Sequence, residues 1–590
     1  MKSKYFISAL VLGSTLAACD DVLEPAAENT MDITAIYTNP SMAMGLLGNA
    51  YVLLPYGGTP DTDLATDDAV CNDLDNNYSK MAAGGWTSNS NPVSRWQGCY
   101  HAIQYINLLL ENTDNVEYAS SEALRIMHND VIKGQCYAMR GMFHYYLLQN
   151  HAGYVGGTLM GVQYHYASEG FSSNYNNPRL TYVETLKCIE EDLAKALELL
   201  PDHFGSIKSA DAIPEKYKQI GATQADYNRA FGDNHKGKVD GIIVKAIRAQ
   251  LLLMSASPAF EASGVTNAQA AKALAEVLKA AIGGLDGLDP EGHKWFCNYA
   301  QINKLASDQN PAEVLWRSGN NENSHSIEDD NFPPSLFGNG RTNPTQNLVD
   351  AFPMANGYPI TDAASGYDAS KPYEGRDPRF YDAIIYNGAT QGVDNTAIDV
   401  TTTSSTLDGI NKENKKSTRT GYYMKKLTRS DVNINPNSTT GQRHYTPRIR
   451  FTELFLDYAE AANEAYGPTG IGDMGSAYDV IKAIRHRALG IDDDPYLESI
   501  KNDKDAMRQL IRNERRLELC FENKRFWDLR RWKVDLNELN TTAKGVSITG
   551  TNYKVIDVDT RNYKDYMYYG PIPYGEIQKF SELQQNDGWQ

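Results

Sequence analysis

Cysteine pairs at metal or redox spacing are missing from this sequence. Its seven cysteines (Cys19, Cys71, Cys99, Cys136, Cys188, Cys297 and Cys520) are far apart, and none belongs to a CxxC. Zinc ribbons and thioredoxin-like redox motifs therefore have no support. The six beyond Cys19 leave room for one or two disulfides, which the sequence does not pair. Basic charge is short as well: 56 Lys and Arg face 74 Asp and Glu, a formal net charge of −18. Nucleic-acid recognition needs a basic footprint, so no nucleic-acid partner is expected. Beyond the first residues, no stretch is apolar and long enough to span a bilayer. Enzyme signatures are absent too: there is no GxSxG, HExxH, Walker A or dinucleotide fingerprint, and "FGNGRT" is glycine-rich without the spacing. The chain reads as non-enzymatic and free of cofactors.

Metal sites fare no better. His144 and His151 lie on one helical stretch with no carboxylate or cysteine at metal spacing, and read as packing or surface residues. "DLDNNYS" alternates oxygen donors at Asp73, Asp75, Asn77 and Ser79. However, Tyr78 stands where a calcium loop needs glycine, and Gly84 where it needs the closing glutamate.

What is present begins at the N-terminus. Lys2 and Lys4 precede an apolar run from Phe6 to Leu16, followed by Ala17 and Ala18. That is the pattern of a secretory signal peptide over residues 1–18, too short for a spanning helix. Leu16-Ala17-Ala18-Cys19 resembles the bacterial lipobox, in which the cysteine becomes the lipidated first residue. Buried acyl chains contribute roughly 0.8 kcal/mol per CH2, and stable anchoring takes more than one chain. Asp20 and Asp21 must stay outside the hydrocarbon. Losing Lys2 and Lys4 takes the formal charge from −18 to −20.

Helical periodicity dominates the rest. Val93, Trp96, Tyr100, Ile103, Asn107 and Leu110 follow spacings of three and four. So do Tyr182, Leu186, Ile189, Leu193, Ala196 and Leu200, stopped by Pro201. Similar patterns predict helices over 34–54, 122–150, 240–256, 267–282, 449–466 and 475–489. They group into tetratricopeptide-like pairs over about 34–113, 122–200, 240–282 and 449–489. Large insertions break any strict period, so a regular solenoid is excluded. Residues 57–92 and a loop-rich insertion at about 318–448 carry Gly, Asn, Asp, Ser and Thr. Loops of such length are usually functional or disordered, and these two segments read as a cap, with short strands such as "EVLWRS" and "AIIYNG".

The most distinctive string is "RQLIRNERRLELCFENKRFWDLRRWK", residues 508–533. It predicts a helical stripe of Met507, Leu510, Glu514, Leu517 and Phe521, in which Glu514 occupies an apolar register and must be paired if buried. Arg515, Glu518, Glu522, Arg525, Asp528 and Arg531 supply opposite charges three or four residues apart. The helix reads as structural rather than as an acid/base site.

This helix, the "PIPYGEI" and "LQQNDGW" segments of the ending, "RDPRF" and the helix pairs together resemble the SusD/RagB family. The lipobox followed by Asp20-Asp21 resembles the surface-export signal of Bacteroidetes lipoproteins. The resemblance covers nearly the whole mature chain. It implies a mainly α fold: tetratricopeptide-like helix pairs in a right-handed helical scaffold, with a long-loop capping subdomain carrying short strands. It also implies one domain over 19–590, with a C-terminal helix and tail at 503–590. In function it implies a non-enzymatic surface lipoprotein of the outer membrane, lipid-anchored at Cys19. Such a protein binds an oligosaccharide and delivers it to a SusC-like TonB-dependent transporter.

The family's ligand residues vary, so a site must be placed physically. Sugars stack their C–H faces on exposed aromatics and are gripped by polar side chains. Trp86 follows Gly84-Gly85 and precedes Thr87-Ser88-Asn89-Ser90-Asn91, which predicts an exposed platform, with Asp67, Asp68 and Asn89 as hydroxyl partners. "HKWFCNYAQ" offers Trp295 and Cys297, and Arg376 in "YEGRDPRF" offers a fork for two oxygens; its alternative is a local pair with Asp377 or Asp382. Tyrosine, at 37 against 16 Phe, suits wet ligands. Trp96 and Trp316 read as packing. A peptide ligand on the same architecture stays open, as does a surface glycoside hydrolase, which would need two carboxylates flanking one bond.

Overall fold

The structure, a computed structural model, describes residues 33–590 except 56, 171 and 320. Cys19 and the signal peptide lie outside the described residues. The scaffold is a stack of helices: α1 Pro40–Val52, α2 Trp96–Asn112, α3 Glu122–His151, α4 Tyr182–Leu199, α5 Gly241–Ala256, α6 Asn267–Ile282, α7 Phe451–Tyr466 and α8 Ala477–Leu489. Their ends follow capping chemistry. Thr181 with Glu184, Thr266 with Gln269 and Ser476 with Asp479 form reciprocal capping boxes at the starts of α4, α6 and α8. Gly283 and Gly490, at φ 78° and 70°, close α6 and α8.

Pairing follows the expected order. α3 packs on α4, α5 on α6 and α7 on α8, and α6 against α7 joins the two halves of the chain. Two glycines let α3 and α4 approach. A Cβ on Gly134 would lie 2.6 Å from Leu200 Cγ, and one on Gly141 would lie 3.1 Å from Leu193 Cδ2. Arg140 locks the pair, donating to both carboxylate oxygens of Asp192 at 2.6 and 2.8 Å and to Asn107 Oδ1 on α2 at 2.8 Å. The α4 stripe is buried as expected. On α2 the buried face is broader than the sequence stripe. It adds Cys99, Ala102, Ile106 and Leu109, while Tyr100 and Leu110 are half-buried. The reason is that α2 packs against both α1 and α3.

The cap has a second apolar core, built from Leu348, Val349, Phe352, Phe380, Ile384 and Tyr423 with Leu517, Phe521, Val546 and Ile548. Among the described residues its sheets are two-stranded antiparallel ribbons. Ala69–Cys71 pairs with Thr342–Pro344, which joins the two loop-rich segments. Val314–Arg317 pairs with Pro447–Arg450. A hairpin of Ala543–Thr549 with Asn552–Asp559 stands where the sequence reading has only a tail.

Residues 508–533 form the seam between the two cores. Helix α9, Lys504–Glu518, places Met507, Leu510 and Ile511 in the scaffold core and Leu517 in the cap core. Glu514 is fully buried and paired, as its register requires, but not by its helical neighbours. Arg379 and Arg485 each donate to it at 2.8 Å. Burial pushes its carboxyl up, and these two guanidiniums outweigh that and hold it below the usual carboxylate range. Arg515 pairs instead with Asp457 and Asp528. The string is also not one helix. It breaks after Glu518, with Phe521 and Asn523 at φ 62° and 60°, and resumes as α10, Arg525–Arg531. Backbone in this region is strained for a bulky residue. Asn523 is held there by its own contacts: Asn523 N donates to Asp63 Oδ2 (2.9 Å) and Nδ2 to Thr59 O (2.7 Å).

Candidate functional site

The break between α9 and α10 floors a cavity of about 300 Å3. Its walls come from loop 57–59, the 321–330 segment, the 444–450 ribbon edge and Trp295. A smaller cavity of about 110 Å3 adjoins it, between Tyr145, Tyr146 and Gln149 of α3, Met254 of α5 and Trp527 of α10. Pro447, Arg448, Glu453, Glu522, Asn523 and Lys524 line both. The two form one cleft between scaffold and cap.

The chemistry of the cleft is mixed. Asn321, Ser324, Ser326 and His444 give polar lining, and Ile327, Leu427, Phe521 and Tyr445 give apolar faces. The indole nitrogens of Trp295 and Trp527 are buried with no hydrogen-bond partner among the described residues. Each residue belongs to the lining of one cavity and gives it aromatic surface. The carboxylates are largely neutralised. Glu453 pairs with Lys524 at 2.6 Å, and Glu522 pairs with Lys426 at 2.6 Å and Arg450 at 2.8 Å. In the larger cavity that leaves Asp330, on the exposed end of helix Ser326–Asn331. In the smaller one, Asp457 and Asp528 are tied to Arg515.

Of the residues expected to bind ligand, Trp295 alone lines this cleft. Trp86 is 2% exposed, not a platform. Its ring packs on Phe526, Tyr563 and Trp589, and its Nε1 donates to Asn91 at 3.0 Å. Asp67 and Asp68 are buried counter-ions: Arg516 reaches Asp67 at 2.9 Å and Asp68 at 2.6 Å, and Arg525 reaches Asp67 at 3.1 Å. They have no access to a ligand hydroxyl. Arg376 is buried as well, and neither Asp377 nor Asp382 takes its fork. It donates to the main-chain carbonyls of Val349, Phe352 and Pro372 at 2.5, 2.7 and 2.9 Å. Asp377 serves Arg379. Asn89 is exposed on its loop, outside the cleft. Cys297 is half-buried, its thiol pushed up to about 12 by burial, and it packs beside Trp295. The six described cysteines are free. His144 and His151 are core residues, both shifted down by burial.

Sequence reasoning missed Trp527 and Arg448. Trp527 was visible in "KRFWDLRR" but masked by the charges around it. Arg448 follows a proline in a segment with no periodicity.

Helix pairs under a loop-built cap, with a polar and aromatic cleft between them, define the class: a helical scaffold that presents a cleft. The chain is similar to the SusD family in two separate parts. Residues 310–589 match that family, and residues 49–212 match a SusD-like family described as starch-binding and associating with the outer membrane. A curated relative, SusD-like protein P25 of Formosa agariphila, is 26% identical over 319 residues; the match spans 50% of this chain and 52% of that protein. A SusD-like protein of Bacteroides fragilis is similar in structure, at TM-score 0.72 and 22% identity over 96% of this chain and 100% of that one. A SusD-like carbohydrate-binding protein of the same species gives 0.67 and 19% over 93% and 100%. Surface glycan-binding protein A of Bacteroides fluxus gives 0.57 and 16% over 94% and 100%.

Proposed function

We propose that this protein captures an oligosaccharide at the cell surface and delivers it to a SusC-like TonB-dependent outer-membrane transporter. The observation that carries the reading is the cleft, which sets Asn, Ser and His side chains beside aromatic and apolar faces. A sugar ring presents the complement, hydroxyl acceptors at its rim and C–H groups on its faces. Similarity to the SusD family, the starch-binding and outer-membrane description of the family matched at residues 49–212, and the carbohydrate- and glycan-binding structural neighbours support it. The protein acts without catalysis. Glycoside hydrolysis needs two working carboxylates, and Glu453 and Glu522 are already held in ion pairs.

Trp527→Ala is expected to weaken binding of the oligosaccharide returned by a glycan screen by about tenfold, or about 1.4 kcal/mol. Ser324→Trp, which fills the larger cavity, is expected to abolish it. Calorimetric titration of folded protein checks both. Wild-type affinity in both variants places the ligand elsewhere.

Attachment is assigned to lipid on Cys19, with the acidic pair behind it directing the chain to the outer face of the outer membrane. Cys19→Ala is expected to release the protein into the soluble fraction in cells lacking the transporter. A variant that stays in the membrane fraction overturns the anchor.

A further inference from the structure

The cleft holds a cation without a counter-ion. Arg448 sits where the two cavities meet and lines both. Among the described residues, no carboxylate lies within 4.0 Å of its guanidinium. Its Nη1 donates to Pro55 O at 2.7 Å, and its guanidinium carbon lies 5.4 Å from the centre of the Trp316 ring. A guanidinium carries five N–H donors. Arg179 and Arg376, two buried guanidiniums that also lack an acid, use theirs within the fold. Arg179 donates to Gly161, Gln584, Asn586 and His151, and Arg376 to three carbonyls. With 74 acidic against 56 basic side chains in the chain, a half-buried cation left without an acid runs against composition. The acids around it are otherwise engaged: Glu453 by Lys524, Glu522 by Lys426 and Arg450, Asp457 and Asp528 by Arg515. Trp316 and Pro55 hold the guanidinium in place, which lowers the cost of fixing it on a ligand.

We infer that the ligand carries an oxyanion, a carboxylate or sulfate on an oligosaccharide, and that Arg448 is the residue that selects it. This rests on the cleft being the binding site. Two oxygens of a uronate or a sulfate ester match the fork of a guanidinium, with charge-assisted bonds roughly twice as strong as neutral ones. Trp295 and Trp527 line the two cavities that meet at Arg448, and there they offer aromatic surface to neighbouring sugar residues of the ligand.

The test titrates the full mature protein with oligogalacturonate, carrageenan and cello-oligosaccharide hexamers, which separate a carboxylate, a sulfate and a neutral chain. Wild type is expected to bind one of the anionic hexamers at least about tenfold more tightly than the neutral one. Arg448→Gln removes the charge at similar size and is expected to erase that preference, leaving the weak neutral binding in place. Arg448→Lys, a charge without the fork, is expected to restore part of it. Preference for the neutral hexamer in wild type overturns the inference, and so does an undiminished preference for the anion in Arg448→Gln. If Ser324→Trp abolishes binding while Arg448→Gln does not alter it, the cleft stands and the role of Arg448 falls. If neither variant alters binding, the cleft itself is wrong. Should Arg448→Gln not fold, the wild-type ranking of the three hexamers, with Arg448→Lys, still decides.

Discussion

Glu514→Ala is expected to destabilise the protein by about 3–5 kcal/mol, the cost of removing one partner from a buried ion pair. The residue is fully buried, and Arg379 and Arg485 are nearly so. Removing the carboxylate leaves two guanidiniums facing each other in a site without water access. Each keeps other acids: Arg379 has Asp377 at 2.7 Å and Glu518 at 3.0 Å, and Arg485 has Asp494 at 2.5 Å. Those residual partners keep the cost from rising toward that of an isolated buried charge. Because Arg379 belongs to the cap and Arg485 to the scaffold, the loss falls on the seam between the two cores. Glu514→Gln keeps the shape and removes the charge, and is expected to lower the melting temperature by less. Thermal and urea melts measure both. Ligand affinity of the folded fraction is expected to stay at the wild-type value, because Glu514 does not line the cleft. Unchanged stability with lost binding would move the helix into the site.

The helices were legible because their signals are local. Apolar spacing and capping pairs such as Thr181 with Glu184 lie within a few residues of each other, and the predicted spans match the observed ones closely. The charge pairing around Glu514 was half legible. Its apolar register announced a partner, but the partners sit 135 and 29 residues away, beyond the reach of any helical-spacing argument. The break at Phe521 and Asn523 had no glycine or proline to mark it. It is imposed by contacts with Thr59, Thr62 and Asp63, more than 450 residues earlier. The candidate site failed for the same reason. Polar neighbours around Trp86 and Arg376 suggested exposure, yet in a loop burial is decided by what packs on it from elsewhere in the chain. Trp295 was offered as a loop aromatic and lines the cleft, while the walls made by 321–330 and 444–450 lie in segments without periodicity.

Trp86→Ala is expected to cost about 3–5 kcal/mol of stability, the range for truncating a buried aromatic, and to leave oligosaccharide affinity of the folded fraction unchanged. The indole stands where several distant parts of the chain meet. Phe526 of α10 lies 5.9 Å away, Tyr563 6.2 Å, and Trp589 5.1 Å near edge-on. The Arg530 guanidinium faces the ring at 5.2 Å. Arg530 is fully buried and among the described residues pairs with no carboxylate. The rings of Trp86, Phe526 and Tyr563 therefore supply much of what compensates its charge. Truncation removes packing from the C-terminal tail and one aromatic face from that cation together, which places the expected loss toward the top of the range. Trp86→Phe keeps a ring and gives up the Nε1 bond to Asn91, so its cost is expected to be clearly smaller. Urea melts rank the three proteins. Limited proteolysis locates the damage, with earlier cleavage expected in the segment after residue 560 of Trp86→Ala. Calorimetry of the folded fraction gives the other half of the test. A melting temperature equal to wild type together with lost sugar binding would return Trp86 to the ligand site and make the buried ring packing seen here incidental.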